Sequence, residues 1–172
     1  MNLSGQSVLM IIAPANFRDE EYFEPKQILE SAGARVVTAS TLPIATSQDG
    51  KTQKVDMMLG EILTPDFDAV LFVGGSGSSV YFSMVKAHKI AHQYLDSGKV
   101  VGAICAAPTI LANAGMLEGK QATSFPDQEA ALRKKGANYT GTAIEVDGRI
   151  ITASGPEAAK QFGNAVAKAL AS

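Results

Sequence analysis

Cysteine occurs once, at position 105, and tryptophan not at all. A lone thiol excludes an internal disulfide and a cysteine-based zinc cluster. Histidine is nearly as scarce. His88 and His92 stand four apart on one predicted helix, a spacing that can hold a metal. They flank that helix's apolar stripe, and no third ligand lies near, whereas a catalytic metal site takes three protein ligands. No metal is therefore expected. Charge is sparse too, at 19% of residues with a net of −2. No basic stripe is present, so the electrostatic footprint of nucleic-acid binding is missing. The opening MNLSGQ lacks the positive charge and apolar core of a signal peptide. No apolar run approaches the ~18 residues that cross a bilayer. A reducing cytoplasm is the expected location, with neither membrane nor nucleic acid as partner.

What the chain does have is apolar content, 46% over 172 residues. That is enough for a single domain, 1–172, burying about two thirds of its unfolded surface. Ser7–Ala13, Ala34–Ala39, Ala69–Val73 and Val100–Ile104 are short, nearly all-apolar runs, as strands buried on both faces of a parallel sheet are. Between the first two, Pro25, Ile28, Leu29 and Ala32 fall at i, i+3, i+4 and i+7, one buried helix stripe that Gly33 ends. Strand, helix and strand in about 33 residues make a βαβ unit with a right-handed crossover. Thr46–Asp49 and Thr52–Met57, around Gly50, suggest a short hairpin appended to the sheet. Ala87, Ile90, Ala91 and Tyr94 mark the next helix stripe. Gln121–Ser124 reads as a short strand and Gln128–Lys135 as a polar helix. Thr142–Val146 and Arg149–Ala153 flank Asp147-Gly148, a two-residue hairpin signal. A last helix from about Glu157 to Leu170 would bury Ala158, Phe162, Ala165, Val166 and Ala169. The pattern is that of one α/β sandwich.

The most informative stretch is Lys99–Gly115, KVVGAICAAPTILANAG. An apolar strand runs through Cys105 and two alanines into a helix opened by Pro108, the arrangement of a nucleophile elbow. N–H groups at the helix start would face the sulfur and lower the thiol pKa. The alternative is an inert cysteine, since free cysteine is often a small buried hydrophobe. In open sheets of this kind ligands sit beyond the carboxyl ends of the strands. Three such ends carry distinctive residues: the acidic segment Asn16–Glu24, the glycines of Gly74-Gly75-Ser76-Gly77, and Cys105. The glycine loop has neither the P-loop lysine nor the full dinucleotide fingerprint, so no nucleotide cofactor is expected.

FRDEEYFEP, FVGG, GAICAAPTILANAG and SFPD, in that order and spacing, resemble the ThiJ/PfpI family, also called the DJ-one superfamily, with its class I glutamine amidotransferase-like fold. The resemblance spans essentially the whole chain. It implies a flavodoxin-like three-layer sandwich with a mostly parallel central sheet, a homodimer without cofactor, and Cys105 as the reactive elbow cysteine. The family's partner glutamate, four residues before a proline, corresponds to Glu21 ahead of Pro25. Glu20 and Glu24 are the rival acidic residues, whose simpler role is to stabilise the helix dipole. Backbone N–H groups of Gly75 and Ala106 correspond to the oxyanion donors.

A carboxyl buried beside a thiol has its pKa raised and, once protonated, can donate to sulfur or shuttle a proton. Cys105 would then attack an aldehyde to give a hemithioacetal, and a 2-oxoaldehyde would leave as a 2-hydroxy acid. Three departures qualify the resemblance. Ala106 stands where protease-like members have histidine, and Phe125 where some others do, so no Cys–His relay is expected and peptidase activity is not implied. Ala153 and Ser154 replace an arginine of some members, which removes one clamp for anionic groups. Two functions follow from the resemblance: an enzyme acting on small reactive carbonyls, glyoxalase- or deglycase-like, or a non-catalytic redox sensor or stress-response, chaperone-like protein. In the second, protonated Glu21 would hold Cys105 at sulfinate. A degenerate member that only binds a partner is the remaining alternative, and an inaccessible Cys105 would point to it.

Overall fold

A computed structural model describes residues 1–172. In chain order its elements are β1 (Ser7–Ile11), β2 (Ala15–Phe17), α1 (Asp19–Ser31), β3 (Arg35–Ser40), β4 (Ile44–Ser47), β5 (Thr52–Lys54), β6 (Met57–Met58) and β7 (Ala69–Phe72). They continue with α2 (Val85–Asp96), β8 (Val100–Ile104), α3 (Pro108–Asn113), β9 (Gln121–Ala122), α4 (Glu129–Lys134), β10 (Asn138–Tyr139), β11 (Ile144–Asp147), β12 (Ile150–Ala153) and α5 (Ala159–Ala171).

The main sheet has seven strands in the order β11-β12-β8-β7-β1-β3-β6. All its pairings are parallel except β11–β12, the hairpin turned at Asp147-Gly148. Every residue of β1, β7, β8 and β12 is buried. Such strands need cover on both faces, which explains their unbroken apolar composition. Helices α1 and α5 pack together on one side, and α2 packs with α3 against β7 and β8. Gly163 makes the first of these contacts possible. A Cβ there would stand 3.0 Å from both the Pro25 Cα and the Ile28 Cδ1. Forty-eight buried apolar residues form one continuous cluster.

Register decides where the site lies. Ile11 pairs with Phe72, Phe72 with Ala103, and Ile104 with Ala153. The carboxyl ends of β1, β7, β8 and β12 are thus level, and the loops leaving them meet.

Several expectations shift in detail. The hairpin near Gly50 exists as β4 and β5, but it joins β2 in a separate three-stranded sheet rather than the main one. The strand expected over Gln121–Ser124 stops at Ala122. The Thr123 N–H goes to Thr152 Oγ1 (3.0 Å) and its hydroxyl to the Thr142 carbonyl (2.6 Å), so no ladder continues. In the last helix Ala159, Gly163 and Ala167 are buried beside Phe162 and Val166, while Ala165 and Ala169 are only partly covered.

Candidate active site

Cys105 follows β8 directly and has φ +66°, one of two positive values outside glycine. A side chain in that left-handed conformation costs about 1 kcal/mol or more, so surrounding contacts must hold it. They do so from two sides: the Cys105 N–H donates to the Ala153 carbonyl (2.9 Å), and its own carbonyl accepts from the Phe125 N–H (2.8 Å). The sulfur is half-buried, not sealed in the core.

Glu21 lies in the first turns of α1 and is fully buried. Pro25, four residues on, has no N–H to offer the Glu21 carbonyl. Gly74 shows how closely the pieces meet. A Cβ there would stand 2.6 Å from the Ile104 carbonyl oxygen, 2.7 Å from the Cys105 Cβ and 2.9 Å from Glu21 Oε1. Gly75, at φ +99°, is pressed against the Asn16 carbonyl and the Arg18 nitrogen, which would lie 2.5 and 2.6 Å from a Cβ. The glycine pair is therefore required by close approach. The two rival acids stand apart: Glu20 pairs with Arg18, and Glu24 faces a separate surface hollow with Lys51.

Burial pushes the Glu21 carboxyl up to about 8. Cys105 is close enough to oppose that shift, yet neither carboxyl oxygen has a partner in full hydrogen-bond geometry. An unpartnered carboxylate in such a place is costly, so the protonated acid is the resting form at neutral pH. Burial, then the charge of Glu21 when ionised, pushes the Cys105 thiol up to about 12. The Gly75 and Ala106 N–H groups favour the thiolate but do not win. This reverses the expected lowering because burial outweighs the two donors, and the helix start adds no others. N–H groups at the start of α3 are already used: Ala107 donates to Ile104 (3.1 Å), Thr109 to Ala106 (3.2 Å) and Ile110 to Ala107 (2.8 Å). Pro108 has none to give.

Above the sulfur opens a cleft of about 330 Å³. Cys105, Gly75 and Ala106 line it together with Arg18, Ser76, Phe125 and Gln128. Gln128 is held by the Thr109 hydroxyl at 2.7 Å. Phe125 is 41% exposed and turns an apolar face to the site, so no imidazole reaches the sulfur from that position. His88 and His92 are elsewhere, each bonded to a backbone carbonyl, of Phe82 and Ala114 respectively.

Residues 6–169 match the DJ-1/PfpI family. The chain belongs to that family. An uncharacterized protein of Methanocaldococcus jannaschii is 40% identical over 98% of this chain and 84% of its own length. A deglycase of Pyrococcus abyssi is 30% identical over 86% of this chain and 90% of its own. Among solved structures, a ThiJ/PfpI domain protein from Brachyspira murdochii superposes with a TM-score of 0.94 at 36% identity, covering 97% of this chain and 98% of the other. The α/β architecture with a mostly parallel sheet flanked by helices is thus the DJ-1/PfpI fold.

In this DJ-1/PfpI member the fold brings Cys105, Glu21, Gly75 and Ala106 together, as the resemblance implied. It also adds residues that motif reading passed over. Arg18 is the principal one. It lies three residues before Glu21, inside the acidic segment, and it places a cation in a cleft where one clamp for anionic groups was expected to be missing. Gln48 comes from the small sheet, and no local pattern in the sequence marks it. No helix is long and apolar enough to cross a membrane.

Proposed function

We propose that this protein is a cysteine-dependent, cofactor-independent enzyme acting on small reactive carbonyls, glyoxalase- or deglycase-like in its chemistry. The observation that carries this reading is a partly buried cysteine that lines one small cleft, with a fully buried, unpartnered carboxyl beside it. The deglycase name of a relative agrees with it.

The steps follow from the pair's protonation. Cys105 Sγ bonds to the aldehyde carbon as the C=O π bond breaks. Developing charge on oxygen meets the Gly75 and Ala106 N–H groups, and the thiol proton ends on that oxygen. No resting thiolate is needed, because deprotonation accompanies attack. In a 2-oxoaldehyde adduct, Glu21 in its ionised form takes the proton from the former aldehyde carbon to give an enediol and returns it to the neighbouring carbon, while the adduct's hydroxyl proton passes to the neighbouring oxygen. That leaves a thioester of a 2-hydroxy acid, which water cleaves to the acid and free Cys105. The redox-sensor reading is weaker, since peroxide oxidises thiolate and burial disfavours thiolate here.

Methylglyoxal is the test substrate and lactate the readout. The wild type should turn it over, with a rate rising through about pH 8 as Glu21 ionises. Cys105→Ser and Glu21→Ala should each lose at least about a hundredfold. Equal turnover by all three proteins would remove the proposal.

A further inference from the structure

We propose that Arg18 is a specificity residue of the Cys105 cleft, whose guanidinium selects carbonyl compounds bearing a carboxylate beside the reacting carbon. The inference rests on the carbonyl addition proposed above and names a class of ligand that its first step captures.

Arg18 is placed by its own backbone. Its N–H donates to the Gly74 carbonyl at 3.1 Å, and its nitrogen is packed against Gly75, the source of one oxyanion donor. The side chain therefore leaves the backbone beside the reacting centre, and it lines the cleft that holds Cys105. Glu20 takes only the Nε–H, at 2.7 Å. That contact orients the guanidinium plane and leaves the N–H groups of both terminal nitrogens for a ligand. A forked donor matches the two oxygens of a carboxylate, which an ammonium cannot do.

The rest of the lining agrees. Ser76, Gln48 and Gln128 add neutral polar groups, and Gln128 is fixed by Thr109. Asp127 is the one other charged side chain of the lining; it is exposed and accepts a contact from Gln128 at 3.3 Å. With Glu21 protonated beside the sulfur, the fixed charges near Gly75 are the Arg18 guanidinium and the Glu20 carboxylate that takes its Nε–H. Binding the carboxylate at Arg18 would put the adjacent aldehyde carbon over Sγ and its oxygen towards the Gly75 and Ala106 N–H groups.

Glyoxylate is the smallest compound of this class, and glyoxal its uncharged counterpart. With glyoxylate the reaction stops at the hemithioacetal. The S–C bond forms, the C=O π bond breaks and the thiol proton ends on oxygen, but the next carbon is a carboxylate and cannot accept the shifted proton. The adduct returns to thiol and aldehyde, which makes glyoxylate a reversible probe.

Because Cys105 is the chain's sole thiol, alkylation reports on it alone. Two measurements on wild type, Arg18→Gln and Arg18→Lys decide the matter. The first is the ratio of alkylation rates by iodoacetate and iodoacetamide, which needs no aldehyde. Arg18→Gln should lower that ratio about tenfold, equivalent to about 1.4 kcal/mol, and Arg18→Lys should lower it less. The second is protection against iodoacetamide. Arg18→Gln should raise the glyoxylate concentration needed by about tenfold and that of glyoxal by less than about twofold. An unchanged alkylation ratio, or equal losses for both aldehydes, would overturn the role of Arg18 and leave the carbonyl reaction standing. If the ratio depends on Arg18 but neither aldehyde protects Cys105, the carbonyl reaction itself fails, and the ligand assignment with it.

Discussion

Gly74 controls the site more tightly than either reactive side chain. Its bare Cα is what allows the Cys105 Cβ and the Glu21 carboxyl to approach, because a methyl group would meet both at under 3 Å. One of the three obstructing atoms is the Ile104 carbonyl oxygen, which cannot swing aside as a flexible side chain can. Gly74→Ala should therefore cost about 1–3 kcal/mol of stability, the usual range for overpacking. It should also slow methylglyoxal turnover far more than that loss would explain. Urea unfolding beside steady-state rates separates the two effects. Loss of stability with normal turnover would show that the Glu21–Cys105 approach is not needed.

Among elements, α1 deserves the structural credit for the acid, and α5 holds α1 where it is. The two helices touch through Gly163, against Pro25 and Ile28. Gly163→Leu would drive them apart and should destabilise the fold by roughly 2 kcal/mol, seen as a lower urea midpoint. Cys105 alkylation should quicken at the same time as the cover over the pair loosens. The elements most legible in the sequence were the fully buried strands β1, β7, β8 and β12, with the half-buried β3 and the hairpin strand β11 beside them. Each is a run whose composition follows from cover on both faces or from a turn dipeptide. β2 and β6 gave no such signal. β2 has three residues, two of them exposed, and β6 has two that are only partly covered. Their pairing depends on neighbours far along the chain, which periodicity does not report.

The same limit applied to the site. Cys105 stood out because an apolar strand ended at it, and Glu21 because a motif picked it out from Glu20 and Glu24. Arg18, Gln48 and Gln128 enter the cleft through the meeting of loops that only the register of β1, β7 and β8 brings level. The sign of the thiol shift was also out of reach, since it turns on how far the folded chain buries Cys105 and how close it brings Glu21.

Glu21 leaves a mark on the whole molecule's pH dependence. Its carboxyl titrates at about 8 when folded and at an ordinary 4.5 when exposed. Between those values the folded state binds the extra proton, so the stability that Glu21 contributes falls as pH rises from about 4.5 to about 8 and is lost above that. The loss is on the order of a few kcal/mol. Glu21→Gln, which is never ionised, should flatten that slope and be more stable than wild type at pH 8. Thermal midpoints across this window test it, and parallel profiles for the two proteins would mean that the acid is not held neutral.

The Cys105 N–H is bonded to the carbonyl of Ala153, 48 positions later in the chain. During synthesis, the corner that carries the thiol thus waits for those 48 further residues before it can close. Until that late strand docks, the nascent chain bears an ordinary thiol with a pKa of about 8.5, unshielded and free to meet electrophiles. Folding tames this sulfur as well as aiming it, and its most vulnerable moment comes before the protein is finished.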